Sequence, residues 1–120
     1  LTIISYGNGF YLSMQAKDEI EKVLNKKIKI IDLRWLSDIN IENLLKANGE
    51  CSKILIIDEC RKNGCYGEGL VSDILTATKI PLKIRLHAAE NSFIPLGEAA
   101  NVTLPSKESI IEQALELYNE

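Results

Sequence analysis

The sequence is short of the residues from which recognisable active sites are usually built. Its 120 residues hold one histidine, one tryptophan and three cysteines, and aromatics make up 6% of it. Any acid–base chemistry near neutral pH would fall first to the single histidine, His87. Cys51, Cys60 and Cys65 form an odd, sparse set that fits a reducing compartment better than a disulfide framework. No apolar run approaches the roughly 20 residues of a membrane span, and no signal-peptide pattern is present, so no membrane partner is expected. Charge of neither sign dominates: the net charge is −3, with both signs spread along the chain, and a nucleic-acid groove is not expected.

What is present is ordinary for a folded domain: 46% hydrophobic and 26% charged residues, at a length that buries a normal core without staples. Leu1-Thr2-Ile3-Ile4-Ser5 starts inside a strand pattern without an initiator methionine, and the expectation is a single domain, residues 1–120, excised from a longer chain.

Apolar, β-branched runs alternate with helical periodicity. Thr2–Tyr6 reads as a first strand, ended by the turn signal Gly7-Asn8-Gly9. A helix is predicted from about Phe10 to Asn25, with Leu12, Ala16, Ile20, Val23 and Leu24 on one face and Asp18, Glu19, Glu21 and Lys22 largely on the other. Ile28–Leu33 is a second strand, and Asn40 caps a short helix that Gly49 stops. Lys53–Asp58 is a third strand, apolar enough to be buried on both faces. A helix over Tyr66–Thr78 follows, with Leu70, Val71, Ile74 and Leu75 inward and Pro81 blocking its continuation. Leu82–His87 is a fourth strand, Ala100–Leu104 a short fifth, and Ser106 caps a last helix with Ile110, Ile111, Ala114, Leu115 and Tyr118 inward. Short links between alternating strands and helices imply right-handed crossovers, and hence an α/β fold: a three-layer α/β/α sandwich around a mainly parallel five-stranded sheet.

The stretch Lys53–Gly69 ends a buried strand at the sheet edge where ligands and partners meet such folds. Its residues nevertheless resist a catalytic reading. Gly7-Asn8-Gly9 lacks the third glycine of a dinucleotide fingerprint, Leu12 standing there, and the turn alone explains these glycines. Cys60 and Cys65 resemble half a zinc site, but Cys51 and His87 are all that remain to complete it, so free thiols on or near the surface are expected. Cys60 and His87 could meet at adjacent strand ends without a third group to complete a triad. His87 is read as a strand-end ring bonding a loop carbonyl. Asp58 and Glu59 are consecutive, point to opposite faces and cannot form a dyad. One is expected to pair with Arg34 or Arg61, and the other to reach a neighbouring chain. Trp35, just past a strand, is expected to plug a seam between domains.

Four segments, IISYGNGFYLSMQA (3–16), IIDLRWLSDIN (30–40), ILIIDECRKNGCYGEGL (54–70) and ENSFIPLGEAANVTLPS (90–106), run through almost the whole chain. In that order they resemble the C-terminal domain shared by transketolases and the beta subunits of thiamine-diphosphate-dependent 2-oxoacid dehydrogenases. The SFIPLGEAAN run looks most like the dehydrogenase branch, particularly its branched-chain-type or fused alpha–beta forms. Asp38 and the Cys65-Tyr66 pair depart from the family pattern and leave the 2-oxoacid open, pyruvate or a branched-chain one.

The resemblance implies an oxidative decarboxylation in which thiamine diphosphate and magnesium are held by other domains, with no cofactor, metal or catalytic residue expected in this chain. It implies a domain inactive alone, working in the cytoplasm, or in the mitochondrial matrix of a eukaryote. Its partners would be other domains or subunits of the same enzyme and the lipoyl acyltransferase core. Glu59, Arg61, Tyr66, Glu68 and His87 are the candidate interface residues, with Arg61, Tyr66 and Glu68 on the exposed carboxyl-end rim. The alternatives are the transketolase or deoxyxylulose-phosphate synthase branch, and a free-standing small-ligand or nucleotide-binding module.

Overall fold

The computed structural model describes residues 1–120. Strands β1 (Thr2–Ser5), β2 (Lys29–Asp32), β3 (Lys53–Arg61) and β4 (Lys83–Ala89) alternate with helices α1 (Gly7–Leu24), α2 (Ile41–Asn48), α3 (Tyr66–Ala77) and α4 (Lys107–Asn119). All strand pairs are parallel, in the order β2-β1-β3-β4, and the registers set Ile4 beside Ile56 and Ile56 beside Leu86. Four strands are therefore formed where five were expected. Gly97–Val102 winds into a 3-10 helix, and the segment's link to β4 is the bond from Glu90 N to Thr103 O, 2.9 Å. Val102 is 84% exposed: this segment has no second apolar face to bury, which is what a sheet strand needs.

The central strand shows why the sandwich forms. Leu55 and Ile57 face α1 and α4, where they pack with Ile3, Ala16, Ile20, Ile110, Ala114 and Leu117. Ile54 and Ile56 face α2 and α3 and pack with Ile4, Leu44, Leu70 and Ile74. Each fully buried side chain of this size stabilises by about 1.5–3 kcal/mol, so the two layers hold the sheet from both sides.

The helices start and stop as their capping residues dictate. Asn40 Oδ1 accepts from Asn43 N at 2.9 Å, and Gly49 ends α2 with φ 66°. Ser106 and Ser109 exchange side-chain-to-backbone bonds in a capping box at the start of α4. Some inward positions are corrected. Val23 and Leu75 point to solvent, at 65% and 50% exposed, while Leu117 joins the core. Glu21, expected outside, is 7% exposed because Lys17, Lys27 and the backbone N–H of Ile28 all bond its carboxylate.

Candidate functional site

Chain connectivity points to one place. After β1 the chain turns to the α1/α4 face, and after β3 to the α2/α3 face. The carboxyl ends of these neighbouring strands therefore diverge around a crevice of the kind that binds ligands in open α/β sheets. Here the crevice is closed by the chain's own side chains. Tyr6, the last residue before α1, donates its hydroxyl to Asp58 Oδ1 at 2.7 Å. Asp58 is 1% exposed and also accepts from Cys60 N and Gly67 N, both at 2.8 Å. It thereby caps α3 from the strand, since the N-cap residue Cys65 makes no side-chain capping bond. Burial and then the Asp58 carboxylate push the Tyr6 phenol well above its ordinary pKa, so it stays a donor at any physiological pH.

The start of α1 carries a second bond to the end of β3. Asn8 Nδ2 donates to Glu59 Oε1 at 3.0 Å, which seats a carboxylate beside the helix end that would attract a phosphate. A Cβ on Gly9 would lie 2.5 Å from Ser5 Oγ and 3.3 Å from Ile57 Cγ2. One on Gly67 would lie 2.5 Å from Leu86 Cδ1. Both glycines serve close helix-to-strand packing. Gly7, at φ 54°, serves the turn itself.

The sequence-derived candidates separate into groups. Asp58 and Glu59 do point apart, but neither pairs with an arginine: Asp58 takes the three donors above, and Arg34 bonds Asp32 at 2.6 Å. Both thiols are free: Cys60 is exposed, 3.9 Å from the Tyr6 hydroxyl, and Cys65 is buried, which pushes its thiol pKa up. His87 pairs with Ile57 across the sheet, and its Nε2 meets Ser109 Oγ at 2.8 Å, a helix side chain in place of the expected loop carbonyl. No hydrogen bond joins His87 to Cys60. Burial lowers the His87 pKa, with Glu112 and Glu90 pulling weakly the other way. Arg61 and Glu68 are exposed on the rim, Tyr66 is half-buried with its ring edge-on to Tyr6, and Glu68 accepts from Gly64 N at 2.8 Å.

No group of three or more histidine, cysteine or acidic side chains is placed to hold a metal ion. A cavity of about 450 Å³ at the far end of α1 is lined by Asp18, Glu21, Lys22, Asn25, Lys26 and Lys27 alone, and lies away from the rim. No helix is long and apolar enough to cross a membrane.

Large apolar side chains exposed at the rim are Trp35 at 78%, Tyr11 at 65% and Phe93 at 92%, and Leu96, at 94%, follows Phe93 in its loop. The sequence reading singled out Trp35 and passed over the others. Phe93 and Leu96 lie in a loop, where no periodicity marks a side chain as exposed.

The ends of β1 and β3 in this parallel α/β/α sandwich are bridged by the chain's own side chains, beside exposed apolar ones. Comparison with known proteins gives its family. The model of the transketolase C-terminal domain matches residues 1–110, and the chain belongs to that family. It is 30% identical over 116 residues to a pyruvate dehydrogenase E1 component subunit beta of Staphylococcus epidermidis, covering 95% of this chain and 35% of the relative. The corresponding protein of Staphylococcus aureus is 28% identical over 118 residues, covering 97% of this chain and 36% of the relative. The chain thus spans about a third of the length of these curated relatives. Among solved structures, a split-gene transketolase described as an inactive beta4 tetramer superposes with a TM-score of 0.78 at 16% identity, over 98% of this chain and 38% of that one, and shares the fold.

Proposed function

We propose that this chain is the C-terminal assembly domain of a thiamine-diphosphate-dependent 2-oxoacid dehydrogenase, one domain of a longer protein. The observation that carries the reading is the Tyr6–Asp58 and Asn8–Glu59 closure of the ligand crevice beside an apolar, uncovered rim. Tyr6, Asp58, Asn8 and Glu59 spend their polar groups on one another, which supports an interface role over a ligand pocket between these strands. The Staphylococcus relatives, named as subunits of pyruvate dehydrogenase, favour pyruvate over a branched-chain 2-oxoacid.

In this reading thiamine diphosphate and magnesium belong to other domains, where the cofactor supplies the carbanion chemistry of decarboxylation. This chain's residues shape the rim. Glu59, Arg61, Tyr66 and Glu68 face neighbouring domains or subunits, Trp35 fills a seam, and a further surface meets the lipoyl acyltransferase core. His87, tied to α4 through Ser109, supports the fold behind the rim. The enzyme's compartment is the cytoplasm, or the mitochondrial matrix in a eukaryote.

Calorimetric titration of thiamine diphosphate with magnesium tests the division of labour. The full-length assembly is expected to give saturable heat and residues 1–120 alone none. Saturable binding to the isolated chain would overturn the proposal.

A further inference from the structure

The arginines are not equivalent. Arg34 is closed by Asp32, and Arg85 by Glu116 at 2.8 Å and by Glu120. Arg61 forms no ion pair with any carboxylate of the chain. The acids of its own turn are engaged: Asp58 with Tyr6 and two backbone N–H groups, Glu59 with Asn8, Glu68 with Gly64 N. Glu90, which follows β4, does not pair with it either. Arg61 lines a shallow cleft of about 350 Å³ with Cys60, Gly64, Ser92, Phe93 and Ile94, and it is the one charged side chain there. Phe93 stands 92% exposed on the cleft wall, Ile94 is 42% exposed, and Leu96 beyond them is 94% exposed.

Resting on the reading of the rim as an assembly surface, we propose that this cleft receives a carboxylate flanked by apolar side chains, presented by a different subunit of the same enzyme. A guanidinium offers a planar fork that a carboxylate matches with two parallel bonds. Arginine beside aromatic and aliphatic side chains is the composition of an interface hot spot, where the apolar ring keeps water from the ion pair. Exposed apolar side chains gathered at one cleft mark a surface that is covered in use. One arrangement of a second copy is disfavoured. A two-fold contact centred on the cleft would set Arg61 against its own copy, a like-charge contact.

The test uses the full-length protein with its partner subunits, with association measured by sedimentation velocity at several salt concentrations. Arg61→Glu and Phe93→Ser are each expected to weaken association tenfold or more. Arg61→Lys, which keeps the charge and loses the fork, is expected to weaken it about two- to fivefold. Wild-type association is expected to fall more steeply with salt than that of Arg61→Glu. Unchanged circular dichroism and melting temperature keep misfolding out of the comparison. Wild-type association by both Arg61→Glu and Phe93→Ser would overturn the proposal. So would an effect confined to self-association of this chain. Trp35→Ala and Tyr66→Ala run in parallel separate the two levels. If they weaken assembly while the cleft variants do not, the cleft assignment falls and the assembly reading stands. If none of the four weakens it, both fall.

Discussion

The Tyr6 hydroxyl and Asp58 Oδ1, 52 residues apart in sequence and 2.7 Å apart in space, bolt the end of β1 to the end of β3. The same carboxylate holds Cys60 N and Gly67 N, so one buried acid fixes the turn before α3 and the start of that helix. Asp58→Ala orphans all three donors and is expected to cost about 3 kcal/mol or more, whereas Tyr6→Phe removes one bond and costs about 1 kcal/mol. Urea denaturation of the two variants measures both. Equal losses would mean that the backbone N–H groups do not depend on Asp58.

Glu21 governs the acid limb of stability. Hydrogen bonds from Lys17, then Lys27, then Ile28 N hold its pKa at about 2 instead of the usual 4.5. The unfolded chain therefore takes up this proton first as pH falls. The stabilisation is complete above about pH 4.5 and is lost as pH falls towards about 2. Glu21→Gln is expected to lower stability at neutral pH and to flatten the melting-temperature profile across that window. A variant whose acid limb parallels the wild type would contradict the assignment.

His87 acts in a higher window. Its folded pKa lies below the ordinary 6.5 because burial disfavours the charged ring, so the unfolded state again binds the proton first. Stability is expected to be whole above about pH 6.5 and to decline as pH falls from there to the folded value. His87→Gln should remove this upper limb and leave the Glu21 limb untouched. Melting scans between these windows separate the two groups.

Gly9 tests whether the first turn is a packing device. Its Cβ would intrude to 2.5 Å on Ser5 Oγ, whose own bond to Ile57 O is 3.0 Å. Gly9→Ala is expected to cost roughly 1–3 kcal/mol by overpacking. Because α1 is helical at this position, backbone freedom does not account for the cost; a stabilising alanine would show that the contact relaxes freely.

Trp35 is the chain's only tryptophan and stands 78% exposed. Its fluorescence in residues 1–120 alone is expected to be water-like and readily quenched by iodide, and to shift to the blue and resist quenching in the full assembly. Trp35→Ala should change the stability of the isolated domain by less than about 0.5 kcal/mol.

The layered fold was legible because its signals are local. The β-branched run at Ile54–Ile57, the caps Asn40 and Ser106 and the stop at Gly49 each act within a few residues of themselves. The fifth strand was misread because Asn101-Val102-Thr103-Leu104 has strand-like composition, while its state depends on whether a second layer covers it. Glu21 was misread for a related reason: helical periodicity places it outside, and Lys27 and Ile28 N, beyond the helix end, bring it in. At the site, sequence showed that Asp58 and Glu59 point apart. It could not show that Asp58 would choose Tyr6 over an arginine, since that choice depends on a contact 52 residues away. Phe93 gave no periodic signal at all, being exposed on a loop.

Amide hydrogen exchange, compared between residues 1–120 alone and the same residues in the full assembled enzyme, tests the central claim most directly. New protection is expected at Tyr6–Phe10, at Glu59–Tyr66 and through Ser92–Leu96, with no change at the amino ends of the strands. Identical exchange at the rim in the two states would show that nothing covers it, and would contradict an assembly role.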